Sequence, residues 1–221
     1  MSRIIVPKTH LNDLNEYRID RSMSELGLDK QTEKKARIVA AAQVLFLRDG
    51  LRATSMEAIA GETGIAKATL YGTFKNKSEI FAEVIELFAA QLVEVVETAL
   101  SHPGTIEERI TAGLCAKQKL AFETVYASPH AAELMGAKTS RANELIKEAD
   151  EKIVRRLEAV LKTDPQTAKG ARMSAQALFF ASIGIADHTD TMKNAFRRIE
   201  ELTETYLIGV RARNKRGRKI Q

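Results

Sequence analysis

The sequence predicts an all-α fold, and three observations support that prediction. Only 5% of the 221 residues are aromatic and none is tryptophan, whereas alanine and leucine are abundant. Apolar residues recur every three to four positions over long stretches, which is the period of a helix with one buried face. These stretches end at breakers such as SHPG, at residues 101–104. A chain of this length can bury a real core and typically forms one or two domains.

The first long helix is predicted near residues 32–49, where Ile38, Ala42, Leu45 and Phe46 share an inner face. These four apolar positions keep the helical spacing, so one side of the helix is expected to be buried.

Two short helices joined by a tight turn are predicted within residues 54–77, TSMEAIAGETGIAKATLYGTFKNK. Thr54 is predicted to cap the first of them, and Glu57 follows three residues later, as in a capping box. Gly64 stands where this helix must end and the chain reverse, a position that favours a residue free to take positive φ. Such a helix-turn-helix unit can place its second helix in the major groove of DNA.

The rest of the chain is predicted to be helical up to a basic end. A long helix should run from about residue 77 to residue 100, and five more lie near residues 105–127, 130–136, 140–162, 165–186 and 191–210. Residues 1–31 have no sustained helical period and are interpreted as an arm, with a short helix at residues 11–19. Its Arg3, Lys8, Arg18 and Arg21 either contact DNA or remain solvated, and the same two alternatives stay open for the tail, residues 211–221.

Residues 32–85 resemble the TetR family of bacterial transcriptional regulators. The match runs from KKARIVAAAQVLFLRDG through ATSMEAIAGETGIAKATLYGTF to KNKSEIFAEVI, and its most specific part is G-I-A-K-A-T-L-Y-x-x-F followed by N-K. Two positions depart from the family pattern. Ala66 stands where a serine commonly caps the recognition helix, a loss that costs about 1 kcal/mol. Thr73 stands where a histidine often precedes the phenylalanine.

The resemblance implies a domain organisation and a function. A three-helix DNA-binding domain at residues 32–78 would precede a helical ligand-binding and dimerisation domain at residues 79–210. We therefore expect a sequence-specific regulator that binds an inverted-repeat operator as a homodimer. A small, largely apolar effector would release it, and repression is the commoner outcome in this family. The alternative is an architectural DNA-binding protein that needs no ligand.

The resemblance also assigns residues to the DNA, where phosphate contacts give affinity and base contacts give specificity. Lys67, Ala68 and Thr69 are expected to face the bases. The expected backbone contacts are Thr54, Ser55, Tyr71, Thr73 and Lys77, while Lys75 is either a phosphate contact or a solvated loop residue.

The implied effector pocket lies among apolar side chains that carry a few polar tips. Its candidates, each of which could equally be plain core, are Phe88, Cys115, Phe122, Tyr126, Met135 and Phe179. The family's dimer interface would be formed by the last two helices. A role of these helices in the chain's own core is the alternative that the sequence leaves open.

The charge distribution agrees with a DNA-binding head. Residues 32–78 carry eight basic and four acidic side chains, a net charge of +4, and residues 211–221 carry six basic and no acidic ones. Residues 79–210 carry 15 basic and 20 acidic side chains, a net charge of −5. Positive charge is thus concentrated where phosphates are expected.

Several other classes of protein are disfavoured. Cys115 is the only cysteine, which excludes an internal disulfide and suits a reducing cytoplasm, and neither a membrane span nor a secretory signal is visible. No catalytic motif accompanies this cysteine, so we expect no enzyme and no cofactor. Asp187, His188 and Asp190, and the pair His130 and Glu133, lack convincing spacing for metal ligands.

Overall fold

The computed structural model describes residues 29–137 and 140–218, which contain no strand. The described residues form nine α-helices and one π-helical segment, Phe122–Tyr126, that continues the fifth of them. The helices are α1 (Lys30–Asp49), α2 (Met56–Thr63), α3 (Lys67–Thr73), α4 (Lys77–Ser101), α5 (Ile106–Ala121), α6 (Ala131–Gly136), α7 (Ser140–Leu161), α8 (Ala171–Asp187) and α9 (Met192–Arg218). The predicted all-α fold is therefore confirmed. Nearly all of the predicted arm, including Arg3, Lys8, Arg18 and Arg21, lies outside the described residues.

The chain divides into two compact units. Among the described residues, the first comprises residues 29–85 and 123–137, and the second comprises residues 86–122 and 140–218. One division falls inside α4, after Ile85, and another falls at the start of the π-helical segment. The sequence predicts that the boundary between the DNA-binding domain and the large helical domain lies near residue 78, whereas residues 123–137 group with the first unit.

The core of the first unit is built by α1, α2 and α3. Asp29 begins α1, because its carboxylate accepts hydrogen bonds from the backbone N–H groups of Gln31 (2.8 Å) and Thr32 (3.0 Å). The predicted inner face of α1 is buried, and its Phe46 ring meets Phe81 edge to face at 5.8 Å between centroids. Leu70 of α3 completes this core, and burying one such side chain contributes about 1.5–3 kcal/mol.

The second unit has its own apolar core, to which every long helix of that unit contributes. Buried residues of its core include Leu92, Val96, Leu114, Ile153, Leu157, Leu178, Phe179, Ile199 and Leu207. Gly113 allows α5 to approach α4 closely, since a Cβ at that position would lie only 3.1 Å from a methyl carbon of Leu100. None of the helices in the described ranges combines the length and the apolar character needed to cross a membrane.

The α8 helix begins six residues later than predicted. Residues 162–170 form turns, in which the Thr167 hydroxyl donates to the Leu161 carbonyl at 2.5 Å. Gly170 has φ of +80°, a left-handed conformation that immediately precedes the helix.

The predicted tail at residues 211–221 is wrong over most of its length, because α9 continues through Arg218. Arg211 anchors this extension within the second unit. Its guanidinium pairs with Glu107, and its Nε donates to the Asp164 carboxylate at 3.1 Å. Arg211, the first residue of the predicted tail, therefore belongs to a partly buried ion-pair network.

Candidate nucleic-acid interface

The predicted turn between α2 and α3 is present, and its backbone conformation favours glycine. Gly64 ends α2 with φ of +66° and ψ of +23°, the left-handed conformation typical of a helix C-cap. Its N–H bonds back to the last turn of α2, and the Ile65 N–H donates to the Ala60 carbonyl at 3.1 Å. The chain then enters α3 after only three residues, which fixes the two helices against each other.

The α3 helix presents one buried and one open face. Leu70 is fully buried beneath it, while Lys67, Ala68 and Tyr71 are exposed. Ala66 makes no side-chain hydrogen bond at the start of the helix, as expected from the missing serine. The exposed face is therefore available to a partner, and its side chains include a cation, a methyl group and a phenol.

The N-cap of α2 is Ser55, and the prediction that Thr54 caps this helix is wrong. The Ser55 hydroxyl accepts a hydrogen bond from the Ala58 N–H at 3.1 Å. Thr54 is only 3% exposed, and its hydroxyl donates to the Gly50 carbonyl at 2.7 Å. Thr54 is thus unable to contact a phosphate through its side chain, whereas Ser55 remains exposed.

The predicted phosphate contact of Lys77 also has a different arrangement. Its ammonium group donates to the carbonyls of Leu51 (2.6 Å), Arg52 (3.2 Å) and Thr54 (2.6 Å). An ammonium has three N–H donors, so these carbonyls occupy all of them. The role of Lys77 is therefore to hold the loop that connects α1 to α2.

Lys67 is exposed but already paired. Its ammonium contacts the Glu57 carboxylate and lies 6.0 Å from the centroid of the Tyr71 ring. Its hydrogen bond to Glu57 holds the pKa of that carboxyl below the ordinary value. An exposed pair of this kind is stabilised only weakly, so DNA could readily displace Glu57 from Lys67.

Two further predicted contacts lie beside this face. The Thr73 hydroxyl donates to the Thr69 carbonyl at 3.0 Å, and both side chains are half-buried. Lys75 is exposed, while its backbone N–H donates to the Glu79 carboxylate at 2.8 Å. The Lys75 side chain is thus the more accessible cation of the α3–α4 loop.

Arg52 was not singled out by the sequence pattern, although its position is favourable. It lies in the α1–α2 loop three residues before the Ser55 cap, and its side chain is 93% exposed. A loop arginine carries no helical or motif signal, so only its charge could have drawn attention to it.

Comparison with known proteins identifies this part of the chain. Residues 38–84 match the family model described as bacterial regulatory proteins, tetR family. This region is a TetR-family DNA-binding domain. The match ends before α4 does, so it covers the helix-turn-helix and the start of α4.

Named relatives match a part of the chain. The HTH-type regulator AcrR of Shigella flexneri is 33% identical over 73 residues, which are 33% of this chain and 34% of that protein. The uncharacterized HTH-type regulator YhgD of Bacillus subtilis is 29% identical over 84 residues, covering 38% of this chain and 44% of its own. These matches thus span less than half the length of either relative. The family and these relatives are transcriptional regulators, not enzymes.

Solved structures extend the likeness in fold beyond the TetR-family domain. A putative TetR-family regulator from Mesorhizobium loti has a TM-score of 0.64 at 22% identity, over 82% of this chain and 98% of its own. The fatty acid degradation regulator FadR from Bacillus halodurans has a TM-score of 0.57 at 16% identity, over 77% and 94% of the two chains. At these identities the likeness shows the fold alone.

The six predicted ligand contacts do not lie within one compact unit. Phe179 is fully buried in the core of the second unit, and Phe88 and Cys115 pack partly buried against that core. Phe122 is an exposed residue at the end of the same unit. Tyr126 and Met135 are also exposed but belong to the unit that contains the TetR-family domain.

Cys115, the one cysteine of this set, has an unreactive thiol at neutral pH. Burial raises the pKa of the Cys115 thiol to about 12, with a smaller contribution from the Glu200 charge. The thiol is therefore protonated at neutral pH, and the thiolate is the form that reacts.

The second unit contains buried polar groups that the sequence did not reveal as a set. Lys117 is buried in α5 with its ammonium 5.2 Å from the centroid of the Phe179 ring. The adjacent Gln118 donates from its amide to the Ser182 hydroxyl at 3.0 Å. Helical periodicity alone gives no reason to expect a lysine at a buried position.

The weak metal-ligand candidates form other contacts. Across residues 29–137 and 140–218, no three histidine, cysteine, aspartate or glutamate side chains come together as metal ligands. His188 lies 3.0 Å through Nδ1 from the Gly184 carbonyl at the end of α8. Glu133 accepts a hydrogen bond from the backbone N–H of Arg52 at 2.7 Å, far away in the sequence.

Proposed function

We propose that this protein is a transcriptional regulator that binds an inverted-repeat operator as a homodimer. The observation that carries the proposal is the exposed face of α3 in a TetR-family helix-turn-helix. Lys67 can donate to guanine O6 and N7, and the methyl groups of Ala68 and Thr69 can meet that of thymine. Ser55, Tyr71, Arg52 and Lys75 are assigned to phosphates. Lys77 and Thr54 are instead assigned to the support of the α1–α2 loop.

The proposed dimer forms through exposed faces of α8 and α9. Met173, Ala177, Phe180 and Gly184 follow one another at helical spacing along the exposed side of α8. Ile208 is exposed on α9, and the exposed fractions of Met173, Phe180 and Ile208 are 68%, 60% and 65%. Large apolar side chains exposed on adjacent helices favour an interface with a second copy.

The proposed effector is a small, largely apolar molecule that binds in the second unit and releases the DNA. The apolar interior of that unit supports this proposal. Regulators of similar fold are named for fatty acid degradation and for the biodegradation of n-alkanes, which is in line with an effector of this class. We propose that the DNA-bound dimer represses transcription. The relative FasR of Mycolicibacterium smegmatis, 29% identical over 82 residues, is named an activator. The position of the operator decides whether a bound dimer represses or activates transcription.

The first experiment measures DNA binding by fluorescence anisotropy. Wild type, Tyr71→Ala and Lys67→Ala are titrated with fragments that include DNA upstream of the protein's own gene, over a series of salt concentrations. We expect wild type to prefer one fragment, Tyr71→Ala to weaken binding to all fragments, and Lys67→Ala to lose the preference. Equal binding of all three proteins to every fragment would contradict the proposal.

A second experiment separates a ligand-responsive regulator from an architectural DNA-binding protein. A thermal-shift screen with apolar small molecules is followed by anisotropy on the protein–DNA complex. A true effector raises the Tm of the free protein by mass action and lowers its affinity for DNA. The architectural alternative predicts that no compound does both.

A further inference from the structure

A short segment far from the TetR-family domain in sequence contacts that domain directly. Ser128 donates from its hydroxyl to the Leu47 carbonyl at 2.7 Å, and the same oxygen accepts the His130 N–H at 3.0 Å. The α6 helix follows immediately and packs against α1. This segment lies more than 40 residues after the end of the family match at residue 84.

The contact of α6 with the α1–α2 loop is made by one carboxylate. Glu133 accepts the Arg52 N–H through Oε1 at 2.7 Å, and its Oε2 lies 3.7 Å from Nδ1 of His130. A hydrogen bond from a backbone N–H to an ionised carboxylate is shorter and stronger than one between neutral groups. The side chain of Glu133 is mostly buried at this contact.

The absence of a side chain at Gly50 leaves space in the loop for the Glu133 carboxylate. Gly50 has φ of +88°, and a Cβ at this position would lie 2.6 Å from Oε2 of Glu133 and 2.8 Å from Nδ1 of His130. Real Cβ atoms essentially never approach so closely, so a side chain at this position would require Glu133 and His130 to move. The loop backbone at Gly50 therefore packs closely against the side chains of Glu133 and His130.

The α1–α2 loop is held through its carbonyls and through one of its N–H groups, and Glu133 supplies the hydrogen bond to that N–H group. Lys77 binds three of its carbonyls, and Thr54 closes it onto the Gly50 carbonyl. Between these anchors, the Arg52 N–H is fixed by Glu133. Ser55, which caps α2, follows directly, so the geometry of this loop determines where Arg52 and Ser55 are presented.

We propose that Glu133 is a positioning residue for DNA binding, although it lies outside the recognised DNA-binding domain. It acts by fixing the backbone of the α1–α2 loop and touches no DNA itself. The inference rests on the proposed function, because it assigns Arg52 and Ser55 to the phosphates. It also means that the DNA-binding unit of this chain is built from two separate segments of sequence.

The test compares Glu133→Ala and Glu133→Gln with wild type in the full-length protein. Amide hydrogen exchange of the α1–α2 loop and anisotropy on the preferred DNA fragment are measured for each. We expect Glu133→Ala to raise exchange at Arg52 and to weaken DNA binding, each about tenfold, because the bond to a charged acceptor is lost. Glu133→Gln keeps a carbonyl acceptor and should recover most of both. Glu144→Ala, which removes an exposed carboxylate on α7, is the matched control and should behave as wild type.

The two readouts separate the failure of this inference from failure of the proposed function. Unchanged exchange at Arg52 in Glu133→Ala would overturn the contact itself, whether or not the protein binds DNA. Raised exchange together with wild-type DNA affinity would overturn the positioning role. If wild type binds no fragment, the proposed function fails and the positioning role fails with it, while exchange still reports on the contact. Unchanged exchange in α8 and α9 verifies that each variant remains folded.

Discussion

At the residue scale, two lysines that stand two positions apart near the start of α4, Lys75 and Lys77, have opposite roles. The Lys77 ammonium donates to three carbonyls of the α1–α2 loop, whereas the Lys75 side chain is exposed. A family motif records only that a cation stands at each position. The motif does not record that Lys77 forms hydrogen bonds within the protein. Its acceptors are backbone carbonyls of residues 51–54, and a backbone carbonyl is present whatever the side chain is.

This difference predicts unequal effects of the same substitution. Lys77→Met should lower the free energy of unfolding by about 2 kcal/mol, because three carbonyls lose their donor. Lys75→Met should change it by less than about 0.5 kcal/mol but weaken DNA binding and reduce its salt dependence. Urea unfolding followed by circular dichroism measures the first effect, and anisotropy over a salt series measures the second. Equal losses of stability in the two variants would contradict the assignment.

Two glycines of the helix-turn-helix form a second matched pair. Gly64 has φ of +66°, whereas Gly72 lies within α3, and an added Cβ would meet open space at both. Gly64→Ala should therefore destabilise the protein by about 1 kcal/mol through backbone strain alone. Gly72→Ala should stabilise it by up to about 1 kcal/mol, because alanine is the better helix former. The changes in urea midpoint should have opposite signs, and a common sign would be evidence against the described turn.

At the element scale, the sequence predicted which stretches are helical better than it predicted where they end. The inner face of α1 and the turn at Gly64 followed from apolar spacing and from a single conformational requirement. The end of α9 did not, because it depends on pairing of Arg211 with Glu107, more than 100 residues away. The Glu133 contact with Arg52 escaped prediction for the same reason, since contacts between distant residues leave no local pattern.

The ion pair that anchors α9 predicts a dependence on pH. The hydrogen bond from Arg211, assisted by its charge, holds the pKa of Glu107 below its ordinary value of 4.5. A lowered pKa in the folded state stabilises the protein above the unfolded value, and that stabilisation is lost as the pH falls through the folded value. Glu107→Gln should therefore cost about 1–2 kcal/mol at pH 7.

The difference between wild type and Glu107→Gln should disappear on acidification below pH 4.5, as Glu107 becomes protonated in the wild type. Urea unfolding of both proteins from pH 7 to pH 3 provides the measurement. Glu148→Gln removes an exposed carboxylate of α7 and serves as the control, with little difference from wild type at either pH. A difference that persists unchanged at pH 3 would show that Glu107 contributes through packing and not through its charge.

At the scale of the whole molecule, sequence-specific regulation requires more than one TetR-family domain, because a single domain reads only a few base pairs. Of the two alternatives left open for the last helices, a role in the chain's own core is realised on one face of each helix, and the dimer interface stays a proposal for the other face. Leu178 and Leu207 are buried in the chain's own core, while Phe180 and Ile208 on the same helices are exposed. The sequence could not separate these faces, because helical spacing defines which residues share a side but not what covers it.

The exposed faces predict that one charge will disrupt the proposed dimer. Phe180→Asp should produce a monomer in sedimentation-velocity experiments, since it places a carboxylate opposite an apolar surface. Phe122→Asp, which changes an exposed phenylalanine outside α8 and α9, should sediment as wild type. The monomer should keep its helix content and bind a half-site with the same weak affinity as wild type, but it should lose the gain from a full inverted repeat. A Phe180→Asp protein that remains dimeric and still prefers the full repeat would place the interface elsewhere on the molecule.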